Sequence, residues 1–165
     1  GRDGLWSREL ADAAIGAIIN KPDGPMENHV KEPAVFLIEY ADGLKAATLM
    51  LSGYMQEFAY AARVDGKVHG VEFFLQNEGP FAHFSYLCQN IQRFFASARA
   101  PYPPERTLLT TGIVDAVMNS RYEGHRCVET PYLDITYTSY DALPARPMGT
   151  RPQGVCVDPQ TADII

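Results

Sequence analysis

Two Asp-Gly pairs, each lying between two apolar runs, constrain the fold of this chain more than any other feature. Asp42–Gly43 separates "AVFLIEY" from "LKAATLML", and Asp65–Gly66 separates "EFAYAARV" from "KVHGVEFFL". Asp-Gly between such runs is the strongest short-range signal for a β-hairpin, because both positions of the tight turn need a positive φ. Two hairpins in succession predict a four-stranded antiparallel meander.

The predicted strands are apolar on both faces, since neighbours such as Leu37 and Ile38 point in opposite directions. A sheet with one solvent face alternates apolar and polar residues, so the second apolar face here needs its own cover. Left uncovered, such a face would favour aggregation. The side chains expected on that face include Phe36, Ile38, Ala47 and Leu49.

Helical patterns lie on either side of the predicted strands. Residues Leu5–Ile19 are rich in alanine and leucine and predict a first helix. Apolar residues then recur every three or four positions over residues 79–99. A third helix opens with prolines at positions 101, 103 and 104 and ends at Gly124. The expected inner stripes are Phe81, Phe84, Cys88, Ile91, Phe95 and Ala98 on the second helix, and Leu109, Ile113, Ala116 and Ser120 on the third.

A last strand is predicted over Pro131–Tyr140, where Leu133 and Ile135 alternate with polar residues. The order helix, four strands, two helices, strand predicts an α+β fold. We expect an open-faced, mainly antiparallel β-sheet with helices packed on one face. The domain should cover residues 1–143, and residues 144–165 form a tail rich in proline and glycine.

Composition excludes several classes of partner. The 165 residues carry a formal net charge of −6 and contain no basic run, so the chain has no electrostatic footprint for nucleic acid or an anionic membrane. No apolar run approaches the ~20 residues that span a bilayer. The three cysteines, Cys88, Cys127 and Cys156, lie far apart and fit reduced thiols better than a disulfide framework. These features predict a cytoplasmic protein.

Motifs for self-contained chemistry are missing from the sequence. It has no G-x-G-x-x-G, P-loop, G-x-S-x-G or H-E-x-x-H pattern, so no cofactor-binding or metal site is predicted. The four histidines stand in four separate segments. Asp65 and His69 have Asp-x-x-x-His spacing, but they fall in a predicted hairpin, which favours a turn aspartate and a strand histidine.

Two segments carry a resemblance to a known family. They are "EPAVFLIEYADGLKAATLML" and "ERTLLTTGIVDAVMNSRYEGHRCVETPYLDITY", and they resemble the C-terminal domain of the glucose–fructose oxidoreductase / inositol dehydrogenase family (Gfo/Idh/MocA-like oxidoreductases). In that family a helix ending in Ser-Arg is followed by a glycine and by Val-Glu-Thr-Pro before a strand. Ser120–Arg121, Gly124 and Val128–Pro131 match this arrangement. The resemblance covers roughly residues 5–140.

The resemblance implies the second half of a two-domain enzyme, present either as a fragment or as a stand-alone piece. Family members also carry an N-terminal Rossmann domain, a Glu-Lys-Pro motif with a catalytic lysine and, in many cases, an Asp-x-x-x-His pair in a helix. Lys31–Glu32–Pro33 has those letters in another order, and Asp65 and His69 are not helical by prediction. No catalytic residue is therefore assigned in this chain.

The function that the resemblance implies is that of a substrate-side and oligomerisation domain. The full-length enzyme would be an NAD- or NADP-dependent oxidoreductase acting on a sugar, cyclitol or related polyol, and the isolated chain is predicted inactive. Since the family's open sheet face is commonly buried against a second subunit, we expect a homodimer through this face. The alternative is a non-catalytic scaffold that uses the same sheet to bind a ligand or partner protein.

Candidates for the substrate wall lie where the predicted sheet gives way to the second helix, because loop-to-helix junctions are common places for site residues. An alternative interpretation of His83 is that it is an exposed histidine at the start of a helix and does not contact a substrate. The candidates are Gln76, Asn77, Glu78, His83 and Tyr86.

Overall fold

The computed structural model describes residues 4–73, Leu75 and residues 83–138, and of His83 the backbone only. The chain divides into two compact units, residues 1–75 and residues 76–165. The described elements follow the order helix, two hairpins, two helices, which confirms the predicted α+β class. The single domain predicted over residues 1–143 stays a prediction.

The first helix, α1 (Arg8–Ala17), is shorter at both ends than the predicted Leu5–Ile19. Ser7 caps its N-terminus, because the Leu10 N–H donates to the Ser7 Oγ over 3.2 Å. At the other end Ile18 leaves the helical conformation and is 2% exposed, the most buried large side chain described. The cap and this buried anchor set the bounds of the helix.

Four strands form two separate antiparallel hairpins. Strands β1 (Ala34–Glu39) and β2 (Lys45–Met50) pair with each other, and β3 (Phe58–Val64) pairs with β4 (Lys67–Phe73). Both predicted hairpins are confirmed. Among the described residues no ladder joins β2 to β3, so the continuous four-stranded meander is not formed there.

The two hairpin turns differ in kind. In Asp65–Gly66 both residues have a positive φ, 49° and 75°, as the sequence predicts for a two-residue loop. In the first hairpin only Gly43 has a positive φ, and the Tyr40 N–H donates to the Leu44 carbonyl over 2.9 Å. This is a three-residue loop, so the prediction of a positive φ at Asp42 is wrong. The Asp42 carboxylate instead accepts from the Leu44 N–H over 2.9 Å.

Helix α1 lies against the β3–β4 hairpin. A Cβ placed on Gly70 would come within 2.3 Å of the Ala13 carbonyl oxygen, so only glycine allows the helix backbone to approach so closely. Two residues further along β4, Glu72 Oε2 accepts a hydrogen bond from the Ile19 N–H over 3.2 Å. Packing of the two later helices on a sheet face stays a prediction.

The second unit contains α2 (His83–Ser97) and α3 (Pro104–Tyr122). The predicted inner stripe of α3 is confirmed within this unit, since Ala116 is buried and the other stripe residues are half-buried. The inner stripe predicted for α2 is not buried where the structure describes it. Its described members are exposed, with Phe95 at 77%.

The end of α3 is closed as predicted, but the strand expected after it is absent from the described residues. Gly124 has a φ of 82°, and the His125 N–H donates to the Ser120 carbonyl over 2.7 Å, which is the hydrogen bond of a Schellman motif. Pro131–Leu133 then forms a 3₁₀ turn, and residues 134–138 form no strand. The prediction of a strand over 131–138 is therefore wrong. Residues 139–140 and the tail lie outside the described residues.

An ion pair ties α1 to the 3₁₀ turn at Met26–Asn28. The Arg8 guanidinium donates to Glu27 and also to Asp12 one turn along the helix. The hydrogen bond from Arg8 lowers the pKa of Glu27 below its ordinary value of 4.5, and the same pair raises the pKa of Arg8. Because both side chains are exposed, solvent screens the pair.

The depressed pKa of Glu27 predicts a pH dependence with a definite sign. The unfolded state binds a proton on Glu27 more readily, so its contribution to stability is present above pH 4.5 and is lost as the pH falls through the folded-state pKa. We expect the difference in unfolding free energy between the native chain and Glu27→Gln to shrink steadily below pH 4.5. Urea unfolding across this range measures it, and a difference that does not change with pH contradicts the ion pair.

Candidate functional site

Helix α2 carries two of the five residues predicted for a substrate wall. His83 is its first residue, and Tyr86 follows three positions later in the same helix. Tyr86 is half-buried, and its carbonyl accepts from the Asn90 Nδ2–H over 2.9 Å. Their role at a substrate stays a prediction. The remaining candidates lie outside the described residues: Gln76, Asn77 and Glu78.

The aspartate and the histidine with Asp-x-x-x-His spacing both lie in the β3–β4 hairpin. Asp65 occupies the hairpin turn and His69 lies on β4, in agreement with the interpretation as a turn aspartate and a strand histidine. Among residues 4–73, 75 and 83–138, no three His, Cys, Asp or Glu side chains lie close enough together to hold a metal ion. Cys88 and Cys127 are exposed free thiols.

The β3–β4 hairpin presents a large apolar surface on one side. Strand register places Phe58 opposite Phe73 and Tyr60 opposite Val71, and residues paired in this way share a face. We use the name outer hairpin face for the surface formed by Phe58, Tyr60, Val64, Val71 and Phe73. All five are more than half exposed, between 51% and 63%. The only residue with a formal charge at the paired positions of this face is Lys67, at the turn.

The opposite side of the same hairpin carries the small and charged residues. Ala61 is paired with Gly70, and the Ala13 backbone of α1 lies against that pair. Arg63, two residues along the strand from Ala61, forms an ion pair with Glu9 of α1. The helix thus covers the side with the least apolar surface to bury, and the large side chains lie on the side that α1 leaves exposed.

The β1–β2 hairpin is apolar on both faces, as predicted, but its residues are grouped differently. Register pairs Val35 with Leu49 and Leu37 with Ala47, so Ala47 and Leu49 lie on the face opposite Phe36 and Ile38. The expectation that these last four side chains share one face is wrong. Neither face is fully buried: Leu37 is 48% exposed on one, and Met50 is 48% exposed on the other.

No helix among the described residues is long and apolar enough to cross a membrane. Comparison of the chain with protein-family models, with curated proteins and with solved structures gave no match. The resemblance to the Gfo/Idh/MocA-like C-terminal domain therefore stays a prediction that these comparisons do not test.

Sequence reasoning missed the outer hairpin face, although a signal for it was present. Along β3 the side chains alternate between large apolar and small, as in Phe58, Ala59, Tyr60 and Ala61. An α-helix approaches small residues most closely, so this alternation distinguishes the helix-covered side from the exposed side. The ion pair between Arg63 and α1 had no local signal, because its partner lies 54 residues away.

Proposed function

We propose that this chain is the substrate-side and oligomerisation domain of an NAD(P)-dependent oxidoreductase that acts on a sugar, cyclitol or related polyol. The full-length enzyme would be cytoplasmic and would bind NAD or NADP through a separate domain. Support for the activity comes from the two segments that resemble the Gfo/Idh/MocA-like C-terminal domain. The reaction would pass a hydride from a carbinol carbon to the nicotinamide and a proton to a base, leaving a carbonyl.

The observation that carries the oligomerisation part is the outer hairpin face. Five large apolar side chains are more than half exposed there, next to a single lysine. Depletion of charge and enrichment in aromatic residues are typical of the buried core of a protein interface. Burying the exposed half of one such side chain contributes about 1 kcal/mol, so covering the whole face is strongly favourable.

A second copy of the chain is the occupant that we propose. An isologous two-fold interface needs one surface that meets itself, and a face with one lysine at its turn end brings little like-charge repulsion when two copies meet. Helix α1 already covers the other side of the hairpin, so of the two faces the outer hairpin face is the one that a partner can reach. The proposed homodimer would bury this surface, centred on Tyr60 and Val71.

Analytical ultracentrifugation tests the dimer. The native chain should sediment as a dimer at tens of micromolar, and the double variant Tyr60→Lys/Val71→Lys should sediment as a monomer. Two lysines in each copy place four charges in the apolar contact, and burying unpaired charges costs several kcal/mol. We expect the dissociation constant to rise by more than about 100-fold.

Tyr122→Lys is the matched control, because Tyr122 is 89% exposed on α3 and lies on the other unit. It makes one of the two substitutions, tyrosine to lysine, at an exposed position outside the proposed contact, and the variant should remain dimeric. A monomeric native chain, or a dimer that survives the double substitution, contradicts the proposed surface.

The oxidoreductase part needs a separate experiment. Fluorescence titration of residues 1–165 with NADH should show no binding. If the natural reading frame upstream contains a G-x-G-x-x-G segment, the full-length protein should reduce NAD or NADP with at least one polyol from a panel. A chain that dimerises but has no dinucleotide-binding segment upstream favours the alternative of a scaffold module.

A further inference from the structure

A histidine lies near the middle of the outer hairpin face. His69 on β4 is paired with Ala62 on β3, and this pair is the next one on that face after Tyr60 and Val71. Two residues along a strand span about 7 Å, so the imidazole lies within the surface that the proposed homodimer would bury. His69 is exposed in the single chain, whereas Gly70, the next residue along β4, faces α1.

The groups that share this face with His69 include no carboxylate. Lys67, two residues back along β4, and the Tyr60 phenol lie on the same face. None of the paired positions on the face holds Asp or Glu. Helix α1 packs against the opposite face. The charged groups of the hairpin and of α1 lie on that opposite side or in the turn: Arg8, Glu9, Asp12, Arg63, Asp65 and Glu72.

Protonation of His69 would change the charge of the contact between two copies. Histidine is the side chain whose charge ordinarily changes between pH 5 and 8. A neutral imidazole can enter an apolar contact at low cost, whereas an imidazolium buried without a carboxylate loses its hydration and gains no ion pair. In a two-fold contact each copy contributes one His69 and one Lys67, so protonation adds two positive charges to the two that the lysines already carry.

We propose that His69 makes the homodimer sensitive to pH: the dimer forms when the imidazole is neutral and separates when acidification protonates it. This inference rests on the proposed function, because it needs the outer hairpin face to be the contact between two copies. An imidazole in the dimer binds a proton less readily than the same imidazole in the monomer, so closing the contact releases protons. The dimer is therefore stable above the titration range of histidine and is lost as the pH falls through that range.

The net charge of the chain acts in the opposite direction. It is −6 at pH 7, and the isoelectric point is near 5.1, so acidification to pH 5.5 reduces the repulsion between two copies. Without the charge on His69 the dimer should become no weaker at low pH. The sign of the pH dependence therefore distinguishes the local effect of one histidine from the global effect of net charge.

Analytical ultracentrifugation of the full chain at pH 7.5 and pH 5.5 tests the proposal, with circular dichroism to show that the chain stays folded. The dissociation constant of the native dimer should rise about 100-fold at the lower pH, which is about 10-fold for each of two histidines. His69→Gln cannot gain the charge, so its dissociation constant should change by less than about 3-fold. His69→Lys carries the charge without acidification and should weaken the dimer at pH 7.5 by at least about 10-fold.

His125→Asn is the matched control, because it removes an exposed histidine from the other unit. Asparagine tolerates the positive φ of 66° at this position, and the variant should keep the full pH dependence. A pH dependence that persists in His69→Gln, or a His69→Lys variant that dimerises as tightly as the native chain at pH 7.5, overturns the role of His69. So does a native dimer with the same dissociation constant at both pH values, and in each of these cases the dimer itself stands. A native chain that is monomeric at pH 7.5 overturns the proposed dimer and this inference with it.

Discussion

Replacing Gly70 by alanine should destabilise the first unit by about 3 kcal/mol, because overpacking against a rigid neighbour costs this much. The added Cβ would lie 2.3 Å from the Ala13 carbonyl oxygen and 2.8 Å from its carbon. These are backbone atoms in the middle of α1, so no side-chain rotation relieves the clash. Helix α1 must shift away from the hairpin or detach from it. Urea unfolding followed by circular dichroism measures the loss.

Gly16→Ala is the matched control for this prediction. Gly16 lies in α1 itself, and a Cβ there meets nothing within 4 Å. The same chemical change should stabilise the helix by about 0.5–1 kcal/mol, because alanine is the better helix former. The two glycine-to-alanine variants should thus move the unfolding free energy in opposite directions. If Gly70→Ala also stabilises the chain, the contact between α1 and β4 does not exist in solution.

The hairpin positions could be predicted from the sequence, but the register of the first one could not. A two-residue loop at Asp42–Gly43 would pair Phe36 with Leu49 and would place Ile38 and Ala47 on that face as well. The loop has three residues, and each strand partner moves by one position. Because side chains alternate, one position exchanges the two faces. Asp65–Gly66 has the two-residue loop, so its register follows from the sequence alone.

The end of a helix could be predicted from the sequence where a single residue determines the backbone geometry. Gly124 ends α3 because glycine accepts a positive φ, and the inner stripe of α3 follows from helical periodicity. The failed strand after Pro131 had a local pattern too. Whether such a segment forms a strand depends on a pairing partner elsewhere in the chain. Here Leu133 packs against α3 at Gly112, which has no side chain. Alternation alone cannot tell an extended segment on a helix from a strand in a sheet.

The candidate surface divides in the same way. The large apolar side chains of the outer hairpin face alternate with small ones along β3, and that alternation was readable in the sequence. The ion pair between Arg63 and Glu9 was not, because the two residues lie 54 positions apart. The apolar pattern was therefore predictable, and the contact with α1 on the other side was not.

The second large effect is expected at Tyr54, which anchors the segment between α1 and β1. Tyr54 is only 4% exposed, and its hydroxyl donates to the Gly24 carbonyl over 2.9 Å. Its ring lies 5.2 Å from that of His29, measured between centroids, and His29 Nε2 contacts the Asp23 carbonyl over 2.9 Å. One aromatic residue thus holds a segment that contains three prolines and has no long helix or strand of its own.

Tyr54→Ala should cost about 3–5 kcal/mol, the range for removing a buried aromatic side chain. Tyr54→Phe keeps the ring and removes only the hydroxyl, so it should cost about 1–2 kcal/mol for the lost hydrogen bond to Gly24. Hydrogen exchange of the amides at residues 24–30 should rise sharply in the alanine variant and modestly in the phenylalanine variant. Equal losses in the two variants would mean that the hydrogen bond anchors the segment and ring packing does not. A loss below about 1 kcal/mol in the alanine variant would mean that this segment is held by other contacts, because removing a buried aromatic side chain ordinarily costs several times as much.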